Sequence, residues 1–158
     1  MVEMKMNRRL IILRHAQSSR DDSYLIDHDR PLDERGLRDA PTIAQEILRR
    51  GWKPDRIFVS SSLRTMQTLE NLGQHFSEIQ KFIKSELYHA PLQTLLSIVE
   101  SIDEGRTEMI IGHNPGCEML LEFMTGDLEI MPTCSVSLIS EKDGKWNLEE
   151  IIRPKEVK

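Results

Sequence analysis

Leu10-Ile11-Ile12-Leu13, followed at once by Arg14-His15, is the stretch on which the fold of this chain turns. Four consecutive apolar residues, β-branched in the middle and flanked by charge, have the pattern of a strand buried on both faces of a parallel sheet. The pattern recurs at Arg56-Ile57-Phe58-Val59 and at Glu108-Met109-Ile110-Ile111. Between the first two runs, Asp33 is placed to cap a helix through Ile43, Ile47 and Leu48, with Arg49-Arg50 in its last turn and Gly51 as its stop. Ser60-Ser61-Ser62 supplies the N-cap of a second helix running to about His75, so Arg64 falls in a first helical turn.

Further along, Phe82 to Leu87 reads as a short strand, and Leu92, Leu95, Leu96, Val99 and Ile102 recur at helical spacing. Pro115 suits the start of a helix through Leu120, Leu121 and Met124 that Gly126 ends. Ser135 to Ser140 and Trp146 to Ile152 read as two strands joined at Asp143-Gly144, a strong hairpin signal. Strands that alternate with helices predict an α/β fold: a doubly wound, mostly parallel sheet with helices on both faces and an antiparallel C-terminal hairpin at its edge.

Composition sets the frame. A chain of 158 residues fits one domain, 1–158, with a core large enough to need no disulfide or metal. Charged residues at 30% and hydrophobic residues at 39% describe a folded chain and not a disordered one. The net charge of −5 offers no general attraction for nucleic acid or anionic lipid, so any anion site must come from a local cluster of basic residues. Cys117 and Cys134 are too few and too far apart for a zinc motif or a disulfide framework, and are expected as reduced packing residues. With a polar N-terminus and only a short apolar run after it, neither a signal peptide nor a membrane span is expected, and the predicted location is cytoplasmic.

In open α/β sheets ligands bind outside the carboxyl ends of the strands. Three predicted strand ends deliver Arg14-His15, Ser60 to Arg64, and Gly112-His113. Two arginines and two histidines beside helix N-termini would make a pocket for a phosphoryl group, because arginine forks match phosphate oxygens and helix ends favour anions. Taken singly, each residue also has a plainer role: a histidine at a strand end is more often structural, and an arginine in a first helical turn usually lies on the surface. A long polar loop from Ala16 to Pro31 comes after the first strand, and such loops in compact domains are usually functional.

Leu13-Arg14-His15-Ala16-Gln17-Ser18-Ser19 resembles the Arg-His-Gly or Arg-His-Ala signature of the histidine phosphatases, in particular the RHAKSS form of SixA-type phosphohistidine phosphatases, with Gln17 in place of the lysine common there. Asp27-His28-Asp29-Arg30-Pro31-Leu32 through Gly36 is similar to the family's D-x-D-R-P-L-x-x-x-G segment. Ser60 to Thr68 and Gly112-His113-Asn114-Pro115 resemble its S-x-x-x-R-[AT]-x-x-T and GHNP motifs, in family order.

The resemblance implies a phosphoglycerate-mutase-like fold and a phosphatase that works through a covalent phosphohistidine. His15 would be the nucleophile, Arg14, Arg64 and His113 would bind the phosphoryl oxygens, and Arg30 would be an additional substrate-site arginine. No metal or other cofactor is expected, since the arginines and His113 would supply what magnesium supplies elsewhere. Ser18 can hydrogen-bond phosphate or simply turn the loop, while Asn114 gains a claim on the substrate from its place beside His113. Glu86 is the candidate general acid, or else a solvated carboxylate at a strand end. His28 is expected as a solvated loop residue, and no role is expected of His89. The substrate class implied is a histidine-phosphorylated protein, because little chain remains for an insertion that would cap the pocket. The alternatives are a small-metabolite or phosphoserine phosphomonoesterase of the same superfamily and a phosphoprotein-binding module without turnover.

Overall fold

The computed structural model describes residues 7–157. Six strands form one sheet: β1 (Arg9–Arg14), β2 (Arg56–Ser60), β3 (Gln80–Lys84), β4 (Thr107–Gly112), β5 (Val136–Lys142) and β6 (Lys145–Ile152). Their order is β3-β2-β4-β1-β5-β6, with the first four parallel and β5 and β6 antiparallel. The C-terminal hairpin thus lies at the edge, turning at Asp143 and Gly144, both at positive φ.

Five helices cover the sheet: α1 (Glu34–Arg49), α2 (Leu63–Asn71), the short α3 (Gln74–Ser77), α4 (Leu92–Glu100) and α5 (Gly116–Thr125). Side chains alternate across each strand, which explains why the apolar runs have no polar face. Ile11, Leu13, Ile57, Val59, Met109 and Ile111 pack against Ile43, Ile47, Leu69 and Phe76 of α1, α2 and α3. Leu10, Ile12, Phe58 and Ile110 pack on the other face against Leu95, Val99, Leu120 and Leu121 of α4 and α5. Each fully buried aliphatic contributes about 1.5–3 kcal/mol, so β1, buried throughout its apolar run, is a firm anchor for Arg14 and His15 at its end.

Two element boundaries differ from expectation. The second helix stops at Asn71, because Gly73 takes φ +99 and lets α3 start in a new direction. The strand expected over Phe82–Leu87 lies earlier, at Gln80–Lys84, where pairing with β2 is available, and Ser85–Leu87 forms a 3-10 turn that buries Leu87. The long loop is not featureless: Ser18 bridges Leu32, and Asp27–Asp29 forms another 3-10 turn. Among the described residues, no helix is long and apolar enough to cross a membrane.

Candidate active site

β1 lies between β4 and β5, and its last residues meet both: Arg14 stands opposite Gly112 and Leu13 opposite Val136. His15 comes immediately after and is held by its main chain from two sides. Its N–H donates to the Gly112 carbonyl at 3.0 Å, and its carbonyl accepts from the Cys134 N–H at 2.9 Å. The next amide, Ala16 N–H, donates to Thr68 Oγ1 at 2.9 Å, and that hydroxyl donates onward to the Arg64 carbonyl at 2.7 Å. The strand end is thereby tied to α2. That helix begins at Ser62, whose hydroxyl caps the Thr65 N–H, and this start places Arg64 in the first turn as expected.

The side chains converge. His15, His113 and Arg64 are 7%, 5% and 2% exposed. Arg64 Nε lies 3.4 Å from His15 Nε2 and its Nη2 lies 3.3 Å from His113 Nδ1. The two imidazole centroids are 5.3 Å apart. His15 Nδ1 lies 2.7 Å from the Ala16 carbonyl oxygen, which can only accept, so Nδ1 carries the proton and the lone pair falls on Nε2, toward Arg64. Burial, outweighing that hydrogen bond and joined by the nearby Arg64, Arg14 and Arg30 charges, lowers His15 to about 4. Burial, then the neighbouring His15, Arg64 and His89, lowers His113 to about 3. Both rings are neutral at pH 7. Arg14 donates through Nη1 to the Met131 carbonyl at 3.0 Å.

These groups line a cavity of about 550 Å³ together with Ser18, Arg30, Asn114, Asp27 and His89. Arg30 Nη1 donates to Ser18 Oγ at 2.6 Å, joining two of the expected residues. Asn114 lines the wall, but its amide is engaged elsewhere, donating to Glu118 Oε2 at 2.7 Å and to the Met131 carbonyl at 3.1 Å. Glu86 does not reach the cavity. It stands exposed on the 3-10 turn whose inward residue is Leu87, so burying Leu87 turns Glu86 away from the pocket. His28 donates to, or accepts from, Ser61 Oγ at 2.9 Å and packs edge-on against Tyr88.

Two residues without an expected role hold the far side of the cavity. The Asp27 carboxylate accepts from Arg64 Nη2 at 2.9 Å through Oδ2 and from Arg30 Nη2 at 2.9 Å through Oδ1. Its backbone carbonyl accepts from Arg64 Nη1 at 2.7 Å, and Tyr88 donates its hydroxyl to Oδ2. His89 Nε2 sits 3.2 Å from the same oxygen. Burial acts to raise the Asp27 carboxyl, but hydrogen bonds from Tyr88, Arg64, Arg30 and His89 win and hold it well below the usual carboxylate range. The signal for Asp27 was its place three residues before Arg30 in the polar loop; for His89 no local pattern exists.

A family model described as histidine phosphatase superfamily (branch 1) matches residues 10–88. The chain belongs to the histidine phosphatase superfamily. It is a phosphatase, with the phosphoglycerate-mutase-like fold expected of that family. It is 33% identical over 155 residues to an uncharacterized chloroplastic protein of Arabidopsis thaliana, covering 89% of this chain and 69% of that one. Among solved structures it resembles a protein assigned as phosphohistidine phosphatase SixA of Agrobacterium tumefaciens, with a TM-score of 0.82, 29% identity and coverage of 92% and 97% of the two chains. A phosphoserine phosphatase of Entamoeba histolytica shares the fold at a TM-score of 0.72 and 12% identity, covering 94% and 98%. Phosphatases of one architecture thus carry different substrate names, and the pocket itself must supply the choice.

Proposed function

We propose that this histidine phosphatase hydrolyses phosphohistidine, carried on a protein, through a phosphorylated His15. The observation that carries the proposal is the state of the carboxylates at the pocket. Glu86 faces solvent, Asp27 is locked as an anion by two guanidinium groups, and Asp33 accepts from the Gly36 N–H and from Gln17 Nε2 as the cap of α1. None is poised to deliver a proton to an oxygen leaving group. Expelling an alkoxide at neutral pH calls for such a donor, and general acid catalysis contributes ~10²–10⁴-fold. A phosphoramidate differs, because its imidazole can be protonated before the P–N bond breaks and then departs neutral.

In the proposed reaction the His15 Nε2 lone pair attacks phosphorus while the Arg14 and Arg64 guanidinium groups and His113 surround the phosphoryl oxygens, with Arg30 beside them. The neutral imidazole is the reactive form, and the pocket's burial keeps it so. Water then attacks phospho-His15 and releases phosphate, returning the lone pair to Nε2. The cavity wall includes the exposed Arg20 and the half-exposed His89, which leaves the site accessible from solvent and supports a protein-borne substrate over an enclosed metabolite.

The test is phosphate release from a histidine-phosphorylated protein, compared with p-nitrophenyl phosphate and phosphoserine, by wild type, His15→Ala and Glu86→Gln. Phosphohistidine should be the best of the three, His15→Ala should abolish its turnover with the fold intact, and Glu86→Gln should leave it nearly unchanged. Preference for phosphoserine, lost in Glu86→Gln, would put a phosphomonoesterase in its place.

A further inference from the structure

Across the Arg64 guanidinium from His15, the pocket holds a second group of side chains that the attack on phosphorus does not use. Asp27 is its centre. One Asp27 oxygen, Oδ2, collects Arg64 from α2 and both Tyr88 and His89 from the segment after β3, while Oδ1 collects Arg30 from its own loop. The His89 ring rests 4.2 Å from the Tyr88 ring and 5.0 Å from the His113 ring, centroid to centroid. A half-exposed imidazole therefore already lies in the cavity, tilted against an aromatic ring, with one nitrogen on a carboxylate.

We propose that Asp27, backed by Tyr88, forms the leaving-group half of the pocket, and that the protonated imidazole of phosphohistidine displaces the His89 ring from its place beside the Asp27 carboxylate. The assignment rests on phosphohistidine being the substrate. Its chemistry comes from charge. When the second ring nitrogen of phosphohistidine is protonated, the ring is cationic while the phosphoryl group stays anionic, and a nearby carboxylate favours the charged form of the ring. The His15 Nε2 lone pair forms the new N–P bond as the substrate's P–N bond breaks, and that electron pair stays on the departing nitrogen. The proton remains on the other ring nitrogen, so a neutral imidazole leaves and no proton need be supplied during the step. An anion at Asp27 suits this role, whereas a general acid would have to hold a proton. The carboxylate also discriminates, since it repels an anionic or electron-rich leaving group and welcomes a cationic ring.

The experiment compares kcat/KM for phosphohistidine with kcat/KM for p-nitrophenyl phosphate, whose leaving group is good enough to need no protonation. Asp27→Asn should lose on the order of 10²-fold with phosphohistidine and no more than about 10-fold with the aryl ester, the shared part being the loosened Arg64. Equal losses on both substrates would overturn the subsite and make Asp27 a support for Arg64 alone. His89→Ala provides a second arm that leaves Asp27 in place: removing the resident ring should lower KM for phosphohistidine severalfold, and by a larger factor than KM for the aryl ester, which brings no cationic ring to Asp27. A KM that rises for phosphohistidine would refute the exchange of rings. Failure of wild type to cleave phosphohistidine, with the aryl ester cleaved normally, would instead strike the proposed substrate and the subsite with it.

Discussion

A histidine can attack phosphorus only while one ring nitrogen keeps its lone pair, and the pocket protects that state of His15 in two ways. The Ala16 carbonyl holds the proton on Nδ1, and burial beside three arginines opposes a second proton. The His15 ring should therefore titrate near pH 4, against 6.5 for an unperturbed histidine, in ring-nitrogen NMR of the purified protein. A midpoint at or above 6.5 would mean that the ring is solvated and the pocket open to water. Arg64 is the residue on which both imidazoles and Asp27 meet. Arg64→Ala should reduce kcat on the order of 10²-fold or more, the scale for losing a preorganised charge-stabilising group. If only KM rises, Arg64 is a ground-state contact. The variant also leaves Asp27 without its buried partner, so its folding should be checked by thermal melting in parallel.

At the scale of elements, the site depends on how α1 and α2 abut the end of β1. Gly36, in the first turn of α1, touches the backbone of Gln17: a Cβ there would overlap the Gln17 carbonyl oxygen. That oxygen accepts the Asp33 N–H at 3.0 Å, so helix and pocket loop are locked at close range. The atom in the way is main chain and cannot rotate aside. Gly36→Ala should cost about 1–3 kcal/mol by overpacking. It should also lower activity, because Ser18 and the loop carrying Arg30 shift with Gln17. A melting temperature and rate equal to wild type would show that the loop is free of α1. On the other side, the hydroxyls of Ser62 and Thr68 set the start of α2 and its tie to Ala16. The serine run before Arg64 announced that cap, and Asp33 announced the cap of α1, because capping is a local matter of one side chain and the next turn.

For the whole molecule, acid should be the destabilising direction. His15 and His113 have folded values below their unfolded ones, so the unfolded chain binds more protons as pH falls from 6.5 toward about 4 and about 3. Their contribution is complete above the unfolded value and fades below it, at about 1.4 kcal/mol per pH unit for each ring. Asp27, shifted downward, acts in the same sense at lower pH. Denaturant midpoints should fall between pH 6.5 and 4.5, and His15→Ala should flatten that slope; a wild-type midpoint constant over the range would contradict neutral burial of the two rings. Local pattern was enough to find most strands, their helices and the ends that carry Arg14, His15, Arg64 and His113, since apolar runs, caps and glycine stops act within a few residues. It misplaced the strand near Phe82 by a few residues, because pairing with β2 and the burial of Leu87 outweighed local pattern. Glu86 was lost to the pocket for the same reason. That Asp27 and His89 share the cavity follows from tertiary contacts alone: Asp27 meets Arg64 across 37 residues and His89 across 62, and loops without periodicity take their side-chain positions from such distant partners.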